Sequence, residues 1–282
     1  MVARVRIPLG ALPFSWKSTY NQTPFRRSNG SCGHCCSGGR RSRSSCRPGD
    51  RQALAAFYES HFDGVFDFVL RIVRRRSLAA VVVRKTFAAE PPHRHELFTT
   101  AGILALEELG KHRRTYGREE DREGYDFTRI DAGRLADPSA VLFDRELIEL
   151  VWDCAAALDP EDYALLDLHL RQGLNSHAAG LTQLRDSFED TVTSTLLMRR
   201  ARRSCDYLDV LLANAERQVE AEAVLMAVRR HSRSCPVCRD SKRRFVSPLA
   251  VFVAFAPIAP PRGFKAALWS ELQPPTRRRW IF

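Results

Sequence analysis

Four side chains near the end of the chain constrain its fold more tightly than any apolar pattern does. Cys205, His231, Cys235 and Cys238 read C-x25-H-x3-C-x2-C. Two cysteines separated by two residues can both reach one tetrahedral ion from a tight turn. A His one helical turn earlier supplies a third ligand, and a distant Cys closes a Cys3His set. Pro236 lies between the paired cysteines, where its fixed φ suits a knuckle. This spacing predicts zinc as a structural cofactor. The competing reading keeps Cys235 and Cys238 as free thiols beside an unrelated His, with Cys205 as a small apolar residue.

The other cysteines do not form a secreted disulfide pattern. Cys32, Cys35, Cys36 and Cys46 crowd the N-terminal stretch, where Cys32-x2-Cys35 offers a half-site without a second half, and Cys154 stands alone in an apolar helical pattern. A reducing, cytoplasmic setting follows as the expectation. No signal peptide is read at the N-terminus, because Pro8, Pro13, Ser15 and Lys17 interrupt any apolar run. The most apolar stretch, 246–258, is too short to span a bilayer and holds Pro248 and Pro257, so no membrane insertion is expected.

Charge divides the chain more usefully than its total of +11 suggests. Residues 1–49 hold nine Lys/Arg and no acid, and 262–282 hold five Lys/Arg and one Glu. The body between them, 50–261, carries 30 basic and 32 acidic residues, so a basic surface has to be argued locally. Residues 1–49, rich in Arg, Ser, Gly and Cys, read as a disordered basic segment. From Asp50 onward the pattern is helical. Leu54, Phe57, Phe62, Val65, Phe66, Val69, Ile72 and Val73 recur at helical spacing. Helices are predicted over 77–89 and 93–113, then a charged linker over 114–138. A second set follows, over 139–158, from the Asp159-Pro160 cap to about Gly173, over 176–184, and over 187–203.

The fold class is therefore all-α: two small helical domains, 50–113 and 139–204, a helical zinc-binding extension at 205–272, and a basic tail at 273–282. No nucleophile triad, phosphate loop or carboxylate pair suggests an enzyme. Arg74–Arg76 and 111–114, at the ends of two helices, read first as cations set against helix dipoles.

The stretch from Leu158 to Leu174, LDPEDYALLDLHLRQGL, resembles the opening of region four of extracytoplasmic-function sigma factors. Thr191-Val-Thr-Ser-Thr-Leu196, followed by Arg199, Arg200, Arg202 and Arg203, resembles that family's recognition helix. Leu54 to Val69 and Leu78 to Phe87 resemble its region two, and Cys205 onward resembles the zinc-binding extension fused to some members. The resemblance implies a helix-turn-helix, promoter DNA and core RNA polymerase as partners, and an anti-sigma factor as a further one. It also implies base or phosphate contacts by Thr191, Thr193 and Ser194, and phosphate contacts by Arg199, Arg200 and Arg202. Glu189 and Asp190 at the same helix start would repel phosphate.

The sequence departs from the family's pattern in several places. Val81 and Arg84 stand where an Asp and a Gln are usual, Glu96 and Gly102-Ile103 where a Trp and an Arg-Asn step are usual, and Thr195 where an Arg is common. Two readings stay open: a sigma factor that directs polymerase to promoters, or a degenerate sigma-like regulator that binds polymerase or another sigma factor without reading DNA.

Overall fold

The structure, a computed structural model, describes residues 51–89, 91, 93–116, 125–142, 144–174, 180–218 and 221–273. The expectations for 1–49 and for the tail beyond 273 lie outside these residues. Twelve α-helices are present among the described residues: α1 Arg51–Val73, α2 Arg76–Ala88, α3 Arg94–Tyr116, α4 Pro138–Leu142, α5 Arg145–Ala157, α6 Pro160–Leu170, α7 Leu181–Arg200, α8 Asp206–Gln218, α9 Ala221–Ser234, α10 Pro236–Arg243, α11 Pro248–Val253 and α12 Phe264–Leu272. Among the same residues the one extended pairing is an isolated antiparallel bridge between Ile130 and Phe255. The chain is all-helical, as its periodicity predicts, and no described helix is long and apolar enough to cross a membrane.

Helix α1 is the axis. Its first half is amphipathic, but every residue from Val65 to Val73 is buried. A helix covered on all sides must have neighbours on all sides. Helices α2 and α3 pack on it and on each other, and α6 packs against both α1 and α3. Pro91 follows α2 and stops it, as expected. The helix predicted over 139–158 is broken into α4 and α5, because the Asp144 carboxylate accepts the Leu147 N–H at 3.0 Å and caps a new start.

The structure does not confirm the two-domain division. One apolar core takes in Tyr58 to Leu109, Val141 to Leu196 and Val251 to Leu268. A smaller cluster of Leu197, Ala201, Leu208, Leu212, Val224, Val228 and Cys238 lies under the extension. The linker is also partly structured. Phe127 stacks face to face on Trp152 at 4.7 Å, and Asp131 N–H donates to the Ala254 carbonyl at 2.8 Å.

The C-terminal part of the extension runs back across both helix sets as a strap. Helix α11 packs on α5, α6 and α7. Helix α12 lies over α1 and α2. There the Tyr58 hydroxyl donates to the Lys265 carbonyl at 2.8 Å, Trp269 meets the Tyr58 ring at 4.9 Å, and Arg84 pairs with Glu271 at 2.9 Å.

Between α11 and α12 the strap closes a buried polar knot. Asp67 and Arg71 on α1, only 2% and 0% exposed, pair at 2.9 Å. Arg171, just past α6, donates to Asp67 at 2.8 Å and to Asp167 at 2.7 Å. The strap supplies the rest. Arg71 donates to the Ala256 carbonyl at 2.9 Å, Arg171 donates to the Phe255 carbonyl at 3.0 Å, and Ile258 N–H donates to Asp67 at 3.0 Å. The Arg71 guanidinium also lies 5.7, 5.5 and 5.4 Å from the rings of Phe127, Trp152 and Phe255. Two arginines and two aspartates leave the knot neutral. Burial works against the Arg171 charge, but Asp167 and Asp67 outweigh it and raise its pKa.

Cys154 is buried in α5, and burial pushes its thiol up to about 12. It is expected to resist alkylation in the native chain at pH 8 and to react once the chain is unfolded. Peptide mapping after iodoacetamide treatment reads this directly, and rapid native labelling would contradict the burial.

Candidate metal centre

The second, smaller core sets the stage for the four predicted ligands. Helix α7 ends at Arg200, a 3-10 turn covers Arg202–Ser204, and Cys205 follows in extended conformation. Cys205 precedes α8, whose Leu208 and Leu212 turn inward. Helix α9 carries Val224 and Val228 on its inner side and His231 in its last turn. Cys235 caps α10, Pro236 occupies the first helical position, and Cys238 follows in the first turn. This is the knuckle that the two-residue spacing predicts.

The ligand atoms of Cys205, His231, Cys235 and Cys238 all lie within 4.8 Å of one another. Cys205 Sγ is 3.2 Å from His231 Nε2 and 3.9 Å from Cys235 Sγ. Two thiolates about 2.3 Å from a tetrahedral ion stand roughly 3.8 Å apart, so the sulfur pair has the right separation. None of the three thiols is in a disulfide. Tyr207 stacks on the His231 ring at 4.4 Å and fixes its plane. The four residues converge into a group that could hold a metal ion.

The electrostatics fit that use. The backbone N–H of Cys238, then that of Val237, lowers the Cys235 pKa against the opposing effect of burial. Burial pushes Cys238 up to about 12, and the neighbouring sulfurs of Cys205 and Cys235 add to it. Three thiols packed this closely cannot all ionise alone. A divalent cation among them reverses that preference and deprotonates its ligands.

The residues expected to face DNA are placed differently. The start of the helix expected over 176–184 lies outside the described residues; from Leu181 to Arg200 these form one helix, α7, without the expected break before Ser187. Nothing between Leu184 and Ser187 stops it, since no Gly or Pro occurs there. Thr191, Thr193 and Ser194 are 7%, 9% and 0% exposed, so the expectation that they reach bases is corrected. Thr191 and Thr193 turn their hydroxyls back to the carbonyls of Ser187 and Glu189, at 2.6 and 2.9 Å. The extension covers the same face. Lys242 donates to Asp190 at 2.6 Å and to Ser194 at 3.1 Å, and Arg229 contacts Asp190 at 3.3 Å and the Thr191 hydroxyl. Asp190, which read as a phosphate-repelling flaw in a recognition helix, is the anchor of this internal contact.

Arg199, Arg200 and Arg202 do reach the surface, but each has an acidic partner. Arg199 lies 3.4 Å from Glu146. Arg200 forks onto Asp144 at 2.6 and 2.7 Å, and Arg202 pairs with Asp209 at 2.6 Å. The Arg200 hydrogen bond, opposed by burial and helped by the Leu147 N–H, lowers the Asp144 pKa. A carboxyl held below its unfolded value stabilises the fold above about pH 4 and loses that contribution as pH falls through the folded value. Asp144→Asn is therefore expected to cost about 1 kcal/mol at pH 7, with the difference from the parent shrinking below about pH 4. Denaturant melts from pH 7 to pH 3 measure it, and a difference that does not change with pH would refute the pairing.

The sequence reading missed the buried knot. Its signal was present: Asp67-x3-Arg71 and Asp167-x3-Arg171 repeat the same one-turn acid–arginine spacing inside apolar helices.

No family model, curated protein or solved structure matches the chain.

Proposed function

We propose that the chain is a zinc-holding, sigma-like regulator that binds core RNA polymerase or another sigma factor and does not read promoter DNA through α7. The observation that carries this choice over the promoter-directing reading is the burial of Thr191, Thr193 and Ser194 beneath Arg229 and Lys242. A helix whose central polar residues are packed against its own chain cannot offer those residues to a major groove. The Cys3His donor set, with its soft thiolates and near-tetrahedral sulfur separation, favours zinc. Such ligands stay reduced in a cytoplasmic setting, where polymerase is also found. The role is binding rather than catalysis, with an anti-sigma factor as a further candidate partner.

Reconstitution with core polymerase tests the reading. The zinc-loaded full chain is expected to bind core, or a sigma factor in its place, and to give no promoter-specific transcript. A promoter-specific transcript would replace this reading with that of a promoter-directing sigma factor, which requires the extension to leave α7. Failure to bind either partner would remove both readings.

A further inference from the structure

Residues 229–244, which hold three of the four ligands, contain seven Arg/Lys and one acid. Elsewhere between 50 and 261 there are 23 basic and 31 acidic residues, so positive charge is concentrated at the knuckle rather than spread over the body. Three of the seven are used internally. Arg229 and Lys242 hold Asp190 on α7, and Arg244, just past α10, pairs with Asp240 on that helix.

The other four, Arg230, Arg233, Arg239 and Arg243, are exposed, and their guanidinium groups make no hydrogen bond or ion pair with any described residue. They do not sit on a free coil. Arg230 and Arg233 flank His231 at the end of α9. Arg239 follows Cys238 on α10, and Arg243 lies one turn further on. The ligand group draws together the ends of the two helices that carry these four arginines.

We propose that this knuckle face binds the phosphodiester backbone of a nucleic acid. Crowding like charges on a rigid surface is unfavourable unless a dense polyanion offsets it. All four side chains are Arg, whose planar fork donates two parallel hydrogen bonds to a phosphate. Backbone contacts carry no base information. The site is thus compatible with a chain that has buried its sequence-reading face. The Tyr207 ring, 58% exposed and held against His231, stands beside the patch as a surface on which an unpaired base can stack. The inference rests on the zinc reading only for the rigidity of the knuckle.

The test uses the full chain, with zinc content recorded for every sample. Anisotropy titrations with labelled duplex DNA, single-stranded DNA and single-stranded RNA of mixed sequence are repeated across a salt series. The variant Arg230→Gln/Arg233→Gln/Arg239→Gln/Arg243→Gln is compared with the same four positions changed to Lys. Each neutralised phosphate contributes about 0.9 to the logarithmic salt slope on duplex DNA and about 0.7 on single strands. The Gln variant is therefore expected to lose roughly two to four units of slope, and the Lys variant to keep it.

Tightest binding to single strands supports the proposal and brings in Tyr207; equal binding to all three probes supports backbone recognition alone. An unchanged slope in the Gln variant overturns the proposal and assigns binding to the basic termini. Tighter binding to poly-glutamate or to anionic vesicles than to any nucleic acid also overturns it. A chain that purifies without zinc yet loses its slope in the Gln variant counts against the zinc reading and not against the nucleic-acid site.

Discussion

A Cys238→Ser chain is expected to lose its metal and, with it, the order of α8 to α10. Cys238 is both a candidate ligand and a buried member of the small core, so Ser removes a thiolate and places a hydroxyl among Leu208, Val224 and Val228. That core holds few large side chains. A structural zinc site contributes on the order of 10 kcal/mol to a small unit, more than enough to decide whether this one folds. Plasma emission on protein purified under reducing conditions without chelator should give one zinc per parent chain and none in the variant. Hydrogen exchange should then rise across 205–245 and along the α7 face that Arg229 and Lys242 cover, while α1 to α3 stay protected. A parent chain without zinc would defeat the metal assignment. A zinc-free variant with parental exchange would reduce the ion to a passenger.

The second large effect is expected at Asp67. Replacing it with Ala leaves the buried Arg71 and Arg171 facing one carboxylate, and removes the acceptor for Ile258 N–H. Breaking a buried ion pair from one side costs about 3–5 kcal/mol. For a chain of this size that lowers the melting temperature by roughly 10 °C. The double change Asp67→Leu/Arg171→Met restores neutrality, so its loss should fall short of the sum of the two single losses. Additive losses would mean that the pair is not coupled. Calorimetry on the four proteins gives the cycle.

These two sites were not equally legible. The Cys3His group could be read because short spacing along a chain is also short distance in space. His231, Cys235 and Cys238 must be neighbours whatever the rest of the fold does, and only Cys205 had to be brought from afar. Helices were legible for a similar reason, since their periodicity is local. The sequence reading went astray where a long-range partner decides the outcome. Thr191 to Thr195 read as a polar face because nothing nearby covers them; their cover is Lys242 and Arg229, some 40 to 50 residues later. The single core was hidden in the same way. A charged linker with glycines suggests two separate bodies, and only the contacts of Phe127, Ile130 and the strap show that the bodies are joined.

The strap has a consequence for how the chain comes into being. The Arg71 guanidinium is completed by Ala256, the Asp67 carboxylate by Ile258 and the Tyr58 hydroxyl by Lys265, across 185, 191 and 207 residues of sequence. During synthesis the central helix can form and gather its immediate neighbours early. Its two buried charges, however, have no complete set of partners until the ribosome has passed residue 258. Contacts of such long separation also close slowly. The nascent protein must therefore wait in a loosely packed form, with the Phe255 and Ile258 berths still open, for as long as nearly two hundred further residues take to make. That interval is when it is most exposed to aggregation and to chaperones.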